Sequence, residues 1–235
     1  MPKRIAIMQP YVFPYLGYFQ LVSAVDLFVF YNDVNFIKKG WIHRNRILLN
    51  GKDFMITIPC VNVSQNKLIC ETELALDNKE KKRILTTISQ AYRKAPYFEE
   101  VFFLIDNIFK RDYKTIDELA IRSVEAVSGF LNIPTTFRVS GGIYGNSELK
   151  REDRLIDICL KENVLQYINP QGGVEIYSKD YFRKKNVDLN FLVAHLEPYV
   201  QFGNDFVSGL SIIDVLMFNK RETICDVMLK SYALC

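Results

Sequence analysis

The residues best equipped for chemistry lie between Tyr31 and Pro59, in "YNDVNFIKKGWIHRNRILLNGKDFMITIP". Asn32 and Asp33 end an apolar run, and Lys38, Lys39, Trp41, His43, Arg44, Asn45 and Arg46 follow closely. Two arginines one residue apart point to the same side of an extended strand, and their planar forks match phosphate or carboxylate oxygens. Trp41, the single tryptophan, is suited to stack on a base or sugar ring. His43 is the better of the two histidines for accepting a proton near neutrality, and Asp33 could orient it or act as the base itself. The bland counterpart is a solvated basic hairpin with a tryptophan packed at its foot.

A second group lies in "IAIMQPYVFPYLGYF", Ile5 to Phe19. If Ile5–Met8 is a first strand, Gln9 to Gly17 lies beyond its carboxyl end, where open parallel sheets bind ligands. Pro10 and Pro14 hold the loop extended, while Gly17 lets a helix N-terminus approach an anion such as phosphate. Tyr15-Leu16-Gly17-Tyr18 matches the spacing of the H-x-G-H element of nucleotidyltransferases with both histidines replaced. Tyrosine would stabilise a phosphate transition state less well than imidazole. A rigid aromatic loop closing the core is the plainer reading.

"YINPQGGVEIY" offers Asn169 and a Gly172-Gly173 turn at another strand end, where an ordinary turn is equally in keeping. Arg154 could face the ligand, but an exposed helix start is the plainer reading, and His195 reads as a core or strand-end histidine. Ser211 with Asp214 resembles a capping box ahead of "IIDVLMF".

Positioning these groups falls to short apolar runs at Ile5–Met8, Leu27–Tyr31, Met55–Ile58, Thr136–Val139, Leu165–Ile168 and Leu192–His195, which read as strands. Helical spacing marks Gly17–Ala24, Lys79–Arg93, Glu99–Phe109, Thr115–Leu131, Arg151–Lys161 and Arg221–Ser231. Alternation of the two predicts an α/β fold, Rossmann-like, with a mostly parallel sheet. The expected organisation is a single domain over residues 1–235, with a helical insertion near 79–131.

A composition of 49% hydrophobic and 24% charged residues supports an ordinary globular core. The formal charge of +3 is too small for a dedicated nucleic-acid binder and leaves anionic small molecules as partners. No signal peptide or membrane span is read at the N-terminus, so a cytoplasmic location is expected. Five cysteines without a C-x-x-C pair, together with two histidines, predict neither a metal site nor a disulfide framework. The aromatic loop around Phe13 could meet a ligand or a second subunit, which leaves a homodimer open.

At "IAIMQPYVFPYLGYFQL", "DLFVFYNDVNFIKKGWIHRNRIL", "RLIDICL…YINPQGG" and "SIIDVLMFN" the chain resembles the WbqC-like protein family over nearly its whole length. The recurring positions fall on Gln9, Pro10, Pro14, Gly17, Asp33, Lys38, Arg44, Asn45 and Arg46. Asn32 stands where a second acidic residue is expected, which weakens a paired-carboxylate or metal mechanism. The resemblance implies a cytoplasmic protein of O-antigen and surface-polysaccharide biosynthesis that transfers a small acyl or aminoacyl group to a nucleotide-linked amino sugar. In that picture Gln9, Tyr11 and Gly17, with Tyr18 beside them, bind phosphate or ribose. Arg44 and Arg46 bind the diphosphate, with Asn32, Lys38, Asn45, Asn169 and Gly172 around the substrate. Trp41 stacks, and Asp33 or His43 deprotonates the attacking amine. No cofactor is identified: an acyl or aminoacyl donor suits transfer, ATP with magnesium suits the nucleotidyl or adenylate alternative, and a non-catalytic sugar-nucleotide binder is the third reading.

Overall fold

The computed structural model describes residues 3–203 and 205–235. Arg4–Met8 forms β1, buried along Ile5–Ile7, and Leu27–Phe30 forms β2, buried throughout. Continuous apolar runs of this kind suit strands covered on both faces. Helix α1 (Leu16–Ser23) connects the two. After β2 come a hairpin, β3 (Arg44–Leu49) and β4 (Lys52–Thr57), and three helices, α2 (Asn78–Tyr92), α3 (Phe98–Phe109) and α4 (Ile116–Phe130).

The chain then returns to the sheet with β5 (Thr136–Val139), α5 (Arg151–Lys161), β6 (Gln166–Pro170), α6 (Lys179–Lys184) and β7 (Asp188–Ala194). It ends with α7 (Ile212–Phe218), α8 (Arg221–Asp226) and β8 (Tyr232–Leu234). The six-stranded sheet runs β5-β2-β1-β6-β7-β8, all parallel except β8, which is antiparallel to β7. Helices pack on both sides of it, giving the Rossmann-like α/β architecture that the strand and helix alternation predicts. One apolar cluster unites α1, α2, α3, α4 and α7 on one face, and a second joins α5 and α6 on the other.

Several local expectations differ from the structure. Met55–Ile58 is a strand over Met55–Thr57 but not one of the six-stranded sheet: the segment lies at the end of β4, which pairs only with β3. Asn50 and Gly51, with φ of 53° and 73°, make the tight turn that closes this hairpin. The extended strand and basic hairpin read from Arg44, Asn45 and Arg46 do form, although those polar residues break any apolar alternation at the start of β3. The terminal helix stops at Asp226, since a 3-10 turn at Met228–Lys230 leads into β8. No capping box forms at Ser211. Its hydroxyl accepts from Ile213 N at 3.3 Å, but the Asp214 carboxylate turns inward to Tyr92, Tyr199 and Gln201.

His195 is exposed one residue beyond β7. Arg154 is not an exposed helix-start residue: its side chain is only 8% exposed. Among the described residues, no helix is long and apolar enough to cross a membrane.

Candidate functional site

The path of the chain creates a crevice beside β1. From β1 it moves outward on one side through β2 and β5, then returns to the other side of β1 with β6. This reversal of strand order is the switch point at which open α/β sheets leave room for ligands. Here the gap widens further. β1 and β6 are in register at Arg4 with Gln166 and Ile5 with Tyr167 and no further, so their carboxyl ends, Met8 and Pro170, line opposite sides of a cleft of about 430 Å³.

Met8, Tyr11, Pro14 and Tyr15 contribute the wall from β1 and its loop, and Pro170 and Gly172 that from β6. Trp41, Asn45 and Arg46 come from the hairpin, and Leu196 and Gly209 complete the rim. The floor is largely apolar and aromatic, with one cation. Burial, with Tyr11 and Tyr15 close together, pushes the Tyr11 hydroxyl up to about 12, and burial also raises that of Tyr15. Both are therefore neutral hydrogen-bonding groups near pH 7.

Arg46 is held at its far end. Nη1 lies 3.3 Å from the Asp53 carboxylate, Nη2 donates to the Gly209 carbonyl at 3.2 Å, and the guanidinium carbon sits 5.6 Å from the Trp41 ring centroid. Nε is buried with no partner among the described residues. Gly209 is required for this contact: its φ is +69°, and a Cβ there would come within 3.3 Å of Nη2. Asn45, facing away from the arginines, donates to the carbonyls of Val12 and Phe13 at 3.3 and 2.6 Å and ties the hairpin to the first loop.

Arg44 and Arg46 share a strand face but do not converge. Arg44 turns back to donate to the Gly40 carbonyl at 3.1 Å and to the Lys39 carbonyl, and it is not part of the cleft wall. Lys38 is exposed on the preceding turn.

The first loop is also arranged differently from a phosphate cradle. A Cβ on Gly17 would meet the Tyr15 ring at 2.4 Å, so glycine here makes room for tyrosine rather than for an anion. Tyr18 is buried and donates to the Gln9 carbonyl at 2.9 Å, bracing the loop from beneath. Asn169 is likewise inside, donating to the Tyr167 hydroxyl, whereas Gly172 faces open space.

Asn32 and Asp33 belong to a separate polar network at the ends of β2 and β5. Asn32 is buried, donates to Asp117 at 2.8 Å and accepts from Gly141 N at 2.8 Å. One Asp33 oxygen accepts from Ser140 Oγ; the other accepts from Arg154 at 2.6 Å and from Gly142 N at 3.2 Å. Arg154 also reaches Asn146 at 3.1 Å and stacks over Tyr31, whose hydroxyl is raised to about 12 chiefly by burial.

Asp33 and His43 do not form a dyad. His43 packs against Phe36 at 5.1 Å between ring centroids and borders a small apolar cavity behind β3; its Nδ1 is buried with no partner among the described residues. Burial, assisted by the positive charge of Arg44, lowers its proton affinity. Among the described residues no three His, Cys, Asp or Glu side chains gather as a metal-binding group.

Met8, Pro170, Leu196 and Gly209 carry no ligand-facing signal in their residue type, and Tyr15 carries one only through the H-x-G-H spacing. The strand-end rule that selects Gln9 also applies to Leu196, two residues past β7. No local signal pairs Arg154, Ser140 and Asp117 with Asn32 and Asp33, because the partners lie 85 to 121 residues apart in sequence.

The chain is 27% identical, over 221 residues, to an uncharacterised protein of Mycobacterium tuberculosis, Rv1507c, covering 92% of this chain and 94% of that one. No solved structure matches it. A family model described as the WbqC-like protein family matches residues 9–225, a span that contains the Asp33 network and every residue of the cleft wall except Met8. The chain belongs to the WbqC-like protein family.

Proposed function

We propose that this protein is a transferase that binds a nucleotide-linked amino sugar in the switch-point cleft and passes a small acyl or aminoacyl group to its amine. The observation that carries the binding half is the pairing of Arg46 with Trp41 on the wall of that cleft. A planar ring stacks on an indole, and a guanidinium close by offers donors to phosphate oxygens, so one wall suits both parts of a nucleotide. Tyr11 and Tyr15 supply neutral hydroxyls for a sugar, and Gly172 leaves the β6 side open.

In this reading Arg46 takes the diphosphate and Trp41 the base. Arg44, Gly17, Tyr18 and Asn169 support the walls, while Asn32 braces the separate network at the ends of β2 and β5. Attack of the amine on an acyl carbonyl forms the amide, expels the carrier's leaving group and releases a proton from nitrogen. Asp33 is the acceptor of that proton in this proposal, reached when its hydrogen bond to Arg154 opens. The surface-polysaccharide setting rests on the WbqC-like resemblance alone.

A second reading is favoured by two observations: both Asp33 oxygens are already occupied within the chain, and Nδ1 of His43 is buried. A protein that only holds a sugar nucleotide for a partner enzyme needs no base. Thermal shift against UDP-, dTDP- and GDP-sugars, acyl-CoAs and ATP with magnesium tests these readings. A ligand at about 100 times its dissociation constant adds about 2.7 kcal/mol, roughly 5–10 °C at this size. The transferase predicts a shift with a sugar nucleotide, lost in Arg46→Ala, and turnover when an acyl donor is added. Binding without turnover across donors favours the holder, and a shift with ATP and magnesium alone favours nucleotidyl or adenylate transfer.

A further inference from the structure

Trp41 poses a problem of order. It is 42% exposed, it stands on a turn, and it is the largest side chain on the cleft wall. An indole left free at such a place would sample several rotamers, and binding would have to freeze them.

We infer that Arg44 is a positioning residue whose guanidinium clamps the turn at residues 37–40 and thereby presents Trp41 to the ligand. The inference deepens the nucleotide-binding reading above and rests on it for the ligand, but not for the clamp.

The geometry is specific to arginine. Nε donates to the Gly40 carbonyl at 3.1 Å, and a terminal nitrogen donates to the carbonyl of the preceding residue, Lys39. Two adjacent carbonyls are thus gripped by one planar fork, which a lysine ammonium cannot reproduce. The turn needs such a grip. Lys39 sits in the left-handed region at φ 60°, unusual for a side chain of its type, and the closing hydrogen bond is from Gly40 N to the Ile37 carbonyl at 3.1 Å. Trp41 is the next residue, so the plane of the Gly40–Trp41 peptide, whose carbonyl Arg44 holds, sets the direction in which the indole leaves the chain.

The clamp is itself anchored. Asn45 fastens β3 to the first loop through Val12 and Phe13, and Arg46, on the same strand face as Arg44, stacks on the Trp41 ring. Three consecutive polar residues therefore have three tasks: Arg44 fixes the turn, Asn45 fixes the strand, and Arg46 covers one face of the indole. This accounts for the absence of Arg44 from the cleft wall despite its alternation with Arg46.

Because Trp41 is the only tryptophan, its emission reports on this turn and on nothing else in the chain. The test compares acrylamide quenching and steady-state anisotropy of Trp41 in wild type, Arg44→Gln and Arg44→Lys, each without ligand, and then measures affinity for UDP-, dTDP- and GDP-sugars. A clamp predicts that both variants show stronger quenching and lower anisotropy. It also predicts that both weaken nucleotide binding by roughly tenfold, the scale of one charge-assisted hydrogen bond. Unchanged quenching and anisotropy in folded Arg44→Lys overturns the clamp, as does Arg44→Lys with wild-type affinity beside a weakened Arg44→Gln, which marks a plain charge contact. Should Arg44→Gln fail to fold, Arg44→Lys alone decides. If the wild type binds no nucleotide, the proposed function fails while the ligand-free emission still reads the clamp.

Discussion

Arg154 reaches out from α5 to Asp33 at the end of β2: Nη2 lies 2.6 Å from the carboxylate, and Nη1 donates to the Asp33 carbonyl at 3.1 Å. The two side chains are 8% and 13% exposed, so the pair is close to fully desolvated. Such pairs add little net stability relative to an apolar replacement, but removing one member strands the other charge. α5 and β2 are thereby locked at one distance, and the Gly141–Gly142 loop is pinned between them.

Arg154→Ala should therefore cost about 3–5 kcal/mol, the range for breaking a buried pair on one side. Urea denaturation of the variant checks it. Asp33→Asn should cost less, because the amide can still accept from Ser140 or Gly142. That difference makes Asp33→Asn the proper variant for asking whether turnover needs a carboxylate. A loss of turnover with sugar-nucleotide affinity retained supports Asp33 as the base.

Asp214 gives a pH dependence of one sign. Burial raises its proton affinity above the ordinary carboxyl value of 3.8, even though Tyr199, Gln201 and Tyr92 all donate to it. The folded state then holds the proton to higher pH than the unfolded state does. The stability from this group is greatest in acid and falls as pH rises from 3.8 through the folded value. Melting temperatures of wild type and Asp214→Asn across pH 4–7 should diverge with pH, the wild type alone carrying this downward slope.

His43 acts in the opposite direction. Burial first, and the Arg44 charge second, depress its proton affinity below the usual 6.5. Below that pH the unfolded chain takes up a proton that the folded chain refuses, so stability is lost as pH falls from 6.5 toward the folded value. In His43→Phe, which keeps a ring against Phe36, the fall in melting temperature between pH 6.5 and 5 should be smaller than in wild type.

Two glycines beside the cleft should separate shape from stability. In Gly17→Ala the new methyl would overlap the outer edge of the Tyr15 ring, which can swing into the cleft to escape. Stability should fall by about 1–3 kcal/mol at most, the cost of overpacking, with a clear loss of sugar-nucleotide affinity. Gly172→Ala meets nothing within 4 Å and has no left-handed φ to satisfy. Its stability should stay within about 0.5 kcal/mol of wild type. Calorimetric binding beside thermal melts checks both.

The strands β1, β2 and β6 and helix α4 could be read from residue order because their signals are local. Unbroken apolar runs such as Ile5–Ile7 and Leu27–Phe30 mark strands buried on both sides, and the spacing of Leu119, Val124 and Val127 marks a helix face. The same locality placed Trp41, Arg46 and Tyr11 near a strand end. The tertiary structure decided which of the neighbouring polar residues face the cleft. A period of two puts Arg44 and Arg46 on one side of β3, but it is the carbonyls of Lys39 and Gly40 and the approach of Gly209 that send their guanidinia apart. Residue type leaves Gly17 free for an anion, but the Tyr15 ring occupies the space. Helix-start position makes Arg154 a surface residue, but the packing of α5 against β2 brings Asp33 to it across 121 positions. Hydrophobic periodicity is a property of neighbours in the chain, whereas ion pairing and access to a cleft depend on which distant segments are folded together.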